Sequence, residues 1–175
     1  MTAATPEDPY DAIAGARVPR VRTPMTREQV RVAMDAGHSV TFGVHPSYRR
    51  LAVACAMVWL EGANGAALWN YDFGNIGKGT FAGDTFALTA REVLHGRDVM
   101  VTQLERAHSC AEAGAADYWD FLSRSYPDAL ALFDGGDVAA VVGQLKARGY
   151  FTGSLADYVH QMVALVAEYE HRWPE

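Results

Sequence analysis

Ten consecutive apolar residues, Leu51 to Leu60, end at a carboxylate, Glu61, and a glycine, Gly62. No other stretch limits the fold as tightly. The run is too short to span a bilayer, so it belongs inside a globular core. Leu51, Cys55, Val58 and Trp59 fall on one helical stripe, and Pro46-Ser47 ahead of them opens a helix. The pattern predicts a buried helix ending near Glu61-Gly62, with a carboxyl group at the rim of an apolar surface. Desolvation disfavours the charged form there and raises the pKa. A carboxyl that keeps its proton near neutral pH can hand it to a leaving oxygen. The rival reading is a solvated glutamate at a helix C-terminus.

Beyond Glu61 come Gly62-Ala63-Asn64-Gly65, then Leu68-Trp69-Asn70, then Phe73-Gly74-Asn75-Ile76-Gly77. Aromatics and amides of this kind hold sugar rings. Asn75 can bond a sugar acetamido or hydroxyl, or hold its own turn. Trp69 can stack on a sugar or lie buried beside the turn. Asn70 can join the binding site or cap a turn. Residues 62–105 carry no long helical stripe. Residues 85–89 and 99–102 alternate, with Leu94 to Asp98 between them, which predicts a hairpin turning at His95-Gly96.

The remainder reads as helix. Thr26-x-x-Gln29 is a capping box and Gly37 a stop, giving a helix over roughly 26–36. Ser109-x-x-Glu112 is a second box, ahead of Tyr118, Phe121 and Leu122. A short helix follows Pro127, over 127–133. Asp137 caps residues 138–147, and Gly149 ends them. Ser154 caps a last helix whose core face is Leu155, Tyr158, Met162, Leu165, Val166 and Tyr169. Four prolines (Pro6, Pro9, Pro19, Pro24) make residues 1–24 an extended N-terminal arm, leaving 25–175 as one domain. The class is mainly α (α+β), a helical domain with a small β-hairpin lobe after the glutamate helix.

Composition removes several functions. Net charge is −6, without the basic face that a nucleic-acid partner requires. His38 and His45 stand seven apart without acidic or cysteine company, so no metal site is expected. Cys55 and Cys110 cannot build a disulfide framework, and Cys55 belongs to the core. Residues 1–10 have neither a basic start nor an apolar stretch, so the expectation is no signal peptide and synthesis in the cytosol.

The chain resembles the glucosaminidase-type peptidoglycan hydrolases of glycoside hydrolase family 73, within the lysozyme superfamily. The match runs from about Met25 to Tyr169. Its strongest part is Ala56-Met57-Val58-Trp59-Leu60-Glu61, through Asn70, to Gly74-Asn75-Ile76-Gly77. Thr89-Ala90-Arg91-Glu92-Val93-Leu94-His95-Gly96 looks like the family's Thr-x-Glu strand. Leu104-Glu105-Arg106-Ala107-His108-Ser109 stands where the family has a Phe-Arg-x-Tyr-x-Ser segment. Glu112 to Tyr118, Tyr126 to Leu130, and Leu145 to Thr152 with Tyr158 follow in family order. The departures are Gly62 where Ser or Thr is common, Leu104 for Phe and His108 for Tyr.

The resemblance implies a lysozyme-like fold and the glycan strand of peptidoglycan as substrate, with no cofactor. It makes Glu61 the general acid and Glu92 the candidate base, activating water from across a groove. If only one glutamate works, the substrate's own acetamido group or a transglycosylase route replaces the base. Tyr150 is a groove-lining or core residue, and Tyr118 belongs to the core. A lytic transglycosylase or muramidase on the same fold is the first alternative. A non-catalytic peptidoglycan-binding or virion structural module is the second. Without an export signal, delivery falls to a phage lysis system, a virion or a secretion apparatus carrying an antibacterial effector, with a delivery or immunity partner.

Overall fold

The computed structural model describes residues 15–94 and 97–172, and the side chains among them except those of 90–97. Six helices and one hairpin occur in it. They are α1 (Arg27–Phe42), α2 (Tyr48–Glu61), β1 (Thr85–Leu94), β2 (Arg97–Arg106), α3 (Ala111–Ser125), α4 (Pro127–Leu130), α5 (Val138–Ala147) and α6 (Leu155–Arg172).

Helix α2 is the axis of the fold. Its residues Leu51 to Trp59 are all buried. A helix apolar on every side needs neighbours on every side. Here α1 and α6 pack directly against it, α3 packs on α1 and α5 on α6. Burying one large apolar side chain contributes about 1.5–3 kcal/mol, and α2 contributes Leu51, Val53, Met57, Val58 and Trp59 to the core. Cys55 is wholly buried within it, as expected, and burial pushes its thiol far above the ordinary range.

Three helix boundaries depart from the sequence pattern; the short helix after Pro127 ends at Leu130 and does not reach residue 133. The Thr26 capping box forms in full, but α1 does not stop at Gly37. It runs on to Phe42 and ends at Gly43, whose φ of 75° suits a glycine cap. Gly37 serves close packing instead: a Cβ there would lie 2.7 Å from the α3 backbone at Ala115. At α3 the expected Ser109 box does not form; Cys110 is the N-cap and makes no side-chain cap bond. On α6, Leu155 is exposed, while Tyr158, Met162, Val166 and Tyr169 are buried.

The hairpin is longer than the alternating segments suggested. β1 and β2 pair antiparallel from Thr85↔Arg106 to Leu94↔Arg97. The expected turn at His95-Gly96 lies outside the described residues. Residues 15–24 run extended along the lobe. Val18 N donates to Thr85 O (2.8 Å), Asn70 N to Val21 O (2.8 Å) and Thr23 N to Leu68 O (3.0 Å). The arm thus closes onto both the hairpin and the loop after α2.

Candidate active site at the end of α2

Glu61 is the last residue of α2, and the chain turns sharply beyond it. Gly62 N donates to Val58 O (2.9 Å), and a Cβ at Gly62 would lie 2.9 Å from that same oxygen. Ala63, Asn64, Asn70, Tyr71 and Asn75 all have positive φ, between 46° and 60°. No other non-glycine residue among those described does so. Left-handed backbone is costly for residues with a Cβ, and it concentrates at functional sites.

The turn brings Asn75 back to α2, where its Nδ2 donates to the Glu61 carbonyl oxygen (3.3 Å). On the other side, the Tyr158 hydroxyl of α6 donates to Glu61 Oε1 (2.8 Å). Tyr158 is itself fixed by a parallel stack against Phe151, with centroids 3.9 Å apart and planes within 8°. A second tyrosine pair lies beside the first: the Tyr118 and Tyr150 hydroxyls are 2.8 Å apart. The Tyr126 ring meets Tyr150 edge-on at 5.2 Å. The Tyr118 ring also underlies the turn, since a Cβ at Gly74 would lie 2.7 Å from its Cε2.

Burial raises the Glu61 pKa above the usual carboxylate range, and the Tyr158 hydroxyl pulls partly the other way. Burial likewise raises Tyr150 and Tyr158, with the Glu61 charge adding to both. These phenols therefore remain protonated. The arrangement can hold a proton on Glu61 and then steady the carboxylate left after the proton departs.

The residues singled out by sequence separate into two groups. Glu61 and Asn75 meet directly, and Tyr150 adjoins them through Tyr118. Trp69 and Asn70 engage the arm. Asn70 accepts from Val21 N through Oδ1 (2.8 Å) and donates from Nδ2 to Pro19 O (3.1 Å), at 8% exposure. Arg20 and Arg22 lie over the Trp69 ring, 4.4 and 5.2 Å from its centroid. Glu92 sits on β1 opposite Val99; its side chain lies outside the described residues.

The sequence pattern places Tyr158 on a core face and in the family-like segment after Leu145, without a role at the site. The available clue was chemical: a buried tyrosine needs a partner for its hydroxyl. His45 also has an acidic neighbour, Asp35, with Nδ1 and Oδ1 3.0 Å apart. The loop between α1 and α2 brings them together. Among the described residues no group of three His, Cys, Asp or Glu is placed to hold a metal ion, and no helix is long and apolar enough to cross a membrane.

No protein-family pattern and no characterised protein sequence matches this chain. Solved structures do. The glycoside hydrolase domain of FlgJ from Salmonella typhimurium, C-terminally truncated, aligns with a TM-score of 0.58 at 17% identity, over 82% of this chain and 95% of that one. A peptidoglycan hydrolase mutant from Sphingomonas sp. A1 aligns at 0.59 and 20% identity, over 84% and 93%. The catalytic domain of the autolysin Auto from Listeria monocytogenes aligns at 0.61 and 15% identity, over 86% and 88%. At such identities the likeness is one of fold: this chain shares the lysozyme-like α+β fold of those domains.

Proposed function

We propose that this protein hydrolyses β-1,4 glycosidic bonds in the glycan strand of peptidoglycan, as an N-acetylglucosaminidase with Glu61 as its general acid. One observation carries the reading: a desolvated carboxyl at the end of a buried helix, held by a single hydroxyl donor, Tyr158. The fold shared with a peptidoglycan hydrolase and an autolysin catalytic domain supports the substrate class.

In this reading, protonated Glu61 gives its proton to the glycosidic oxygen as the bond to the anomeric carbon breaks. Positive charge develops on the sugar ring. The Tyr158 hydroxyl stabilises the carboxylate that remains, through a hydrogen bond to a charged acceptor. Asn75 fixes the main chain of Glu61 and offers its side-chain oxygen to a sugar amide. Glu92 on β1 activates the water that attacks the opposite face of the ring. The protein works at the cell wall, which it reaches after export, lysis or injection.

The test is digestion of purified peptidoglycan by wild type and Glu61→Gln, with products read by mass spectrometry. Gln preserves shape and polarity but has no acidic proton, so soluble fragments should fall by about 100-fold or more. A reducing N-acetylglucosamine end supports the proposal. A reducing N-acetylmuramic end indicates a muramidase, and an anhydro-muramic end a lytic transglycosylase. Equal products from both proteins remove Glu61 from the chemistry. No products from folded wild type would favour a binding module.

A further inference from the structure

Behind the 72–77 turn lies a second set of carboxyls with no role in the proposed chemistry. Asp72 is 1% exposed and accepts from the backbone of the turn it begins: Gly74 N at 3.3 Å, and Ile76 N at 3.0 Å from each oxygen. Glu105 on β2 is 0% exposed, and among the described residues neither of its oxygens has a hydrogen-bond partner of good geometry. Glu105 is joined to the same turn through the main chain. It pairs with Gly77 in an isolated antiparallel bridge, flanked by Lys78 N to Leu104 O (2.7 Å) and Arg106 N to Ile76 O (3.1 Å). Its Oε2 lies 4.0 Å from where a Cβ on Gly77 would be.

The local charges cannot neutralise both acids. Arg106 is the adjacent cation, but its guanidinium is bound to both oxygens of Asp117 on α3 (2.9 Å each) and to Gly77 O (3.3 Å). His108 also faces Asp117, at 3.4 Å. Gln103, two residues back on β2, and Arg106 oppose the proton on Glu105, but burial outweighs them and raises its pKa. Burial raises Asp72 to about 8; the hydrogen bonds from Ile76 N and Gly74 N oppose this, and the Glu105 and Asp117 charges add to it. An ionised, unpartnered carboxylate in a buried site costs several kcal/mol. An apolar residue at 105 would fill the space without a proton to hold, so the acid itself calls for an explanation.

We infer that Asp72 and Glu105 form a buried acid pair that must keep a proton to hold the 72–77 turn, and with it Asn75, against Glu61. The catalytic part of this inference rests on the reading of Glu61 and Asn75 as active-site residues; the coupling of proton and turn does not. Both acids are raised relative to the unfolded chain. Their contribution is therefore fully present below the ordinary carboxylate range, about pH 4, and is lost as pH rises through about 8. Above that, two like charges share one dry site and the turn loosens. Asp72 and Glu105 are positioning residues: they act through the turn and touch no substrate.

The experiment follows the amide signals of Gly74, Ile76 and the Asn75 side chain by NMR, in the full chain, from about pH 5 to about pH 10. In wild type all three should titrate together near pH 8. In Glu105→Gln the Gly74 and Ile76 midpoint should fall by about one pH unit, because the neighbouring charge is gone. The Asn75 signal should then hold steady with pH, and Asp72→Asn should abolish the titration. Glu105→Leu tests whether space-filling alone suffices: steady Asn75 signals support the pair, and signals that still move with pH overturn it. Unmoved amides in wild type, or an unchanged midpoint in Glu105→Gln, also overturn it. Wild type that digests nothing while its amides titrate as described would sink the glycosidase reading and support the pair.

Discussion

Two walls of one small lobe bury carboxyl groups, and they treat them differently. At the end of α2, Glu61 is partly open to solvent, with one hydroxyl donor and no cation among the described residues. On α3, Asp117 sits between Arg106, the last residue of β2, and His108. Burial alone would raise Asp117, yet the hydrogen bonds from His108 and Arg106 overcome it and hold its carboxyl below the usual range. Donor count and donor charge decide the outcome. A carboxylate gripped across both oxygens by one guanidinium nitrogen becomes a fastener; one given a single phenol keeps a raised pKa. The lysozyme-like frame can set these opposite chemistries side by side because its lobe is built from separate segments, each delivering its own donors.

Arg106→Leu makes the sharpest break in this contrast. It removes the guanidinium that bridges both oxygens and leaves Asp117 buried with only His108. Breaking a buried pair on one side costs about 3–5 kcal/mol, so the melting temperature should fall steeply at neutral pH. The sign of the pH dependence is fixed too. Asp117 is lowered in the folded state, so its contribution is present above the ordinary aspartate range and is lost as pH falls through its folded value. The penalty of Arg106→Leu should therefore shrink in acid. Thermal melts of wild type and variant across pH would show this; an equal penalty at every pH would mean that Arg106 acts by packing alone.

Asn70→Ala comes next, on the same fastening side. It strips the partners from Val21 N and Pro19 O and puts alanine at a φ of 48°. Lost bonds of this kind cost about 1–3 kcal/mol. The expected result is a lower melting temperature and faster tryptic cleavage at Arg17, Arg20 and Arg22, with the Glu61–Tyr158 contact intact. If the Glu61 titration also moved, the two walls would not be independent.

How much of this could be read from sequence follows the range of the interactions. The α2 run, the Thr26 box and the Asp137 cap are local, and the structure has all three. Gly37 read as a stop because nothing local shows that α3 will press against it. Glu61 was legible because its apolar helix precedes it directly. Tyr158 is 97 residues away, and the hydrogen bond exists only once α6 packs beside α2. Nothing local marks Asp72 or Glu105; only the Gly77↔Glu105 bridge puts them under one turn. Residues 15–24 of the arm run extended. Their attachment through Asn70 and Trp69 was not legible, since an amide and an indole suit a sugar as well as they suit a backbone and an arginine.

Tyr158→Phe sharpens the comparison from the proton carrier's side. Losing the hydroxyl leaves burial unopposed, so the Glu61 pKa should rise further, because Tyr158 is the group that lowers it. The alkaline limb of the digestion profile should move to higher pH. The maximum rate should fall by about 10-fold, since a hydrogen bond to a charged group is worth roughly 1.5–3 kcal/mol, part of which is felt in the transition state. Digestion rates across pH separate these effects. A lower rate with an unmoved limb would leave Tyr158 a packing role only.

The smallest effect belongs to Arg20→Ala, and it asks what Trp69 is for. The guanidinium lies 4.4 Å from the ring centroid, with Arg22 at 5.2 Å, so an arm cation covers a half-buried indole. A cation–π contact at such a site is worth about 0.5–1 kcal/mol, a small loss in a thermal melt. Trp69 emission should change as its face gains water, while the Glu61 profile stays where it was. If the indole serves only to seat the arm, a chito-oligosaccharide will leave its emission alone in wild type and variant alike. A sugar-dependent change that appears only in Arg20→Ala would mean that the arm and the glycan compete for one aromatic face, and would return Trp69 from the fastening wall to the catalytic one.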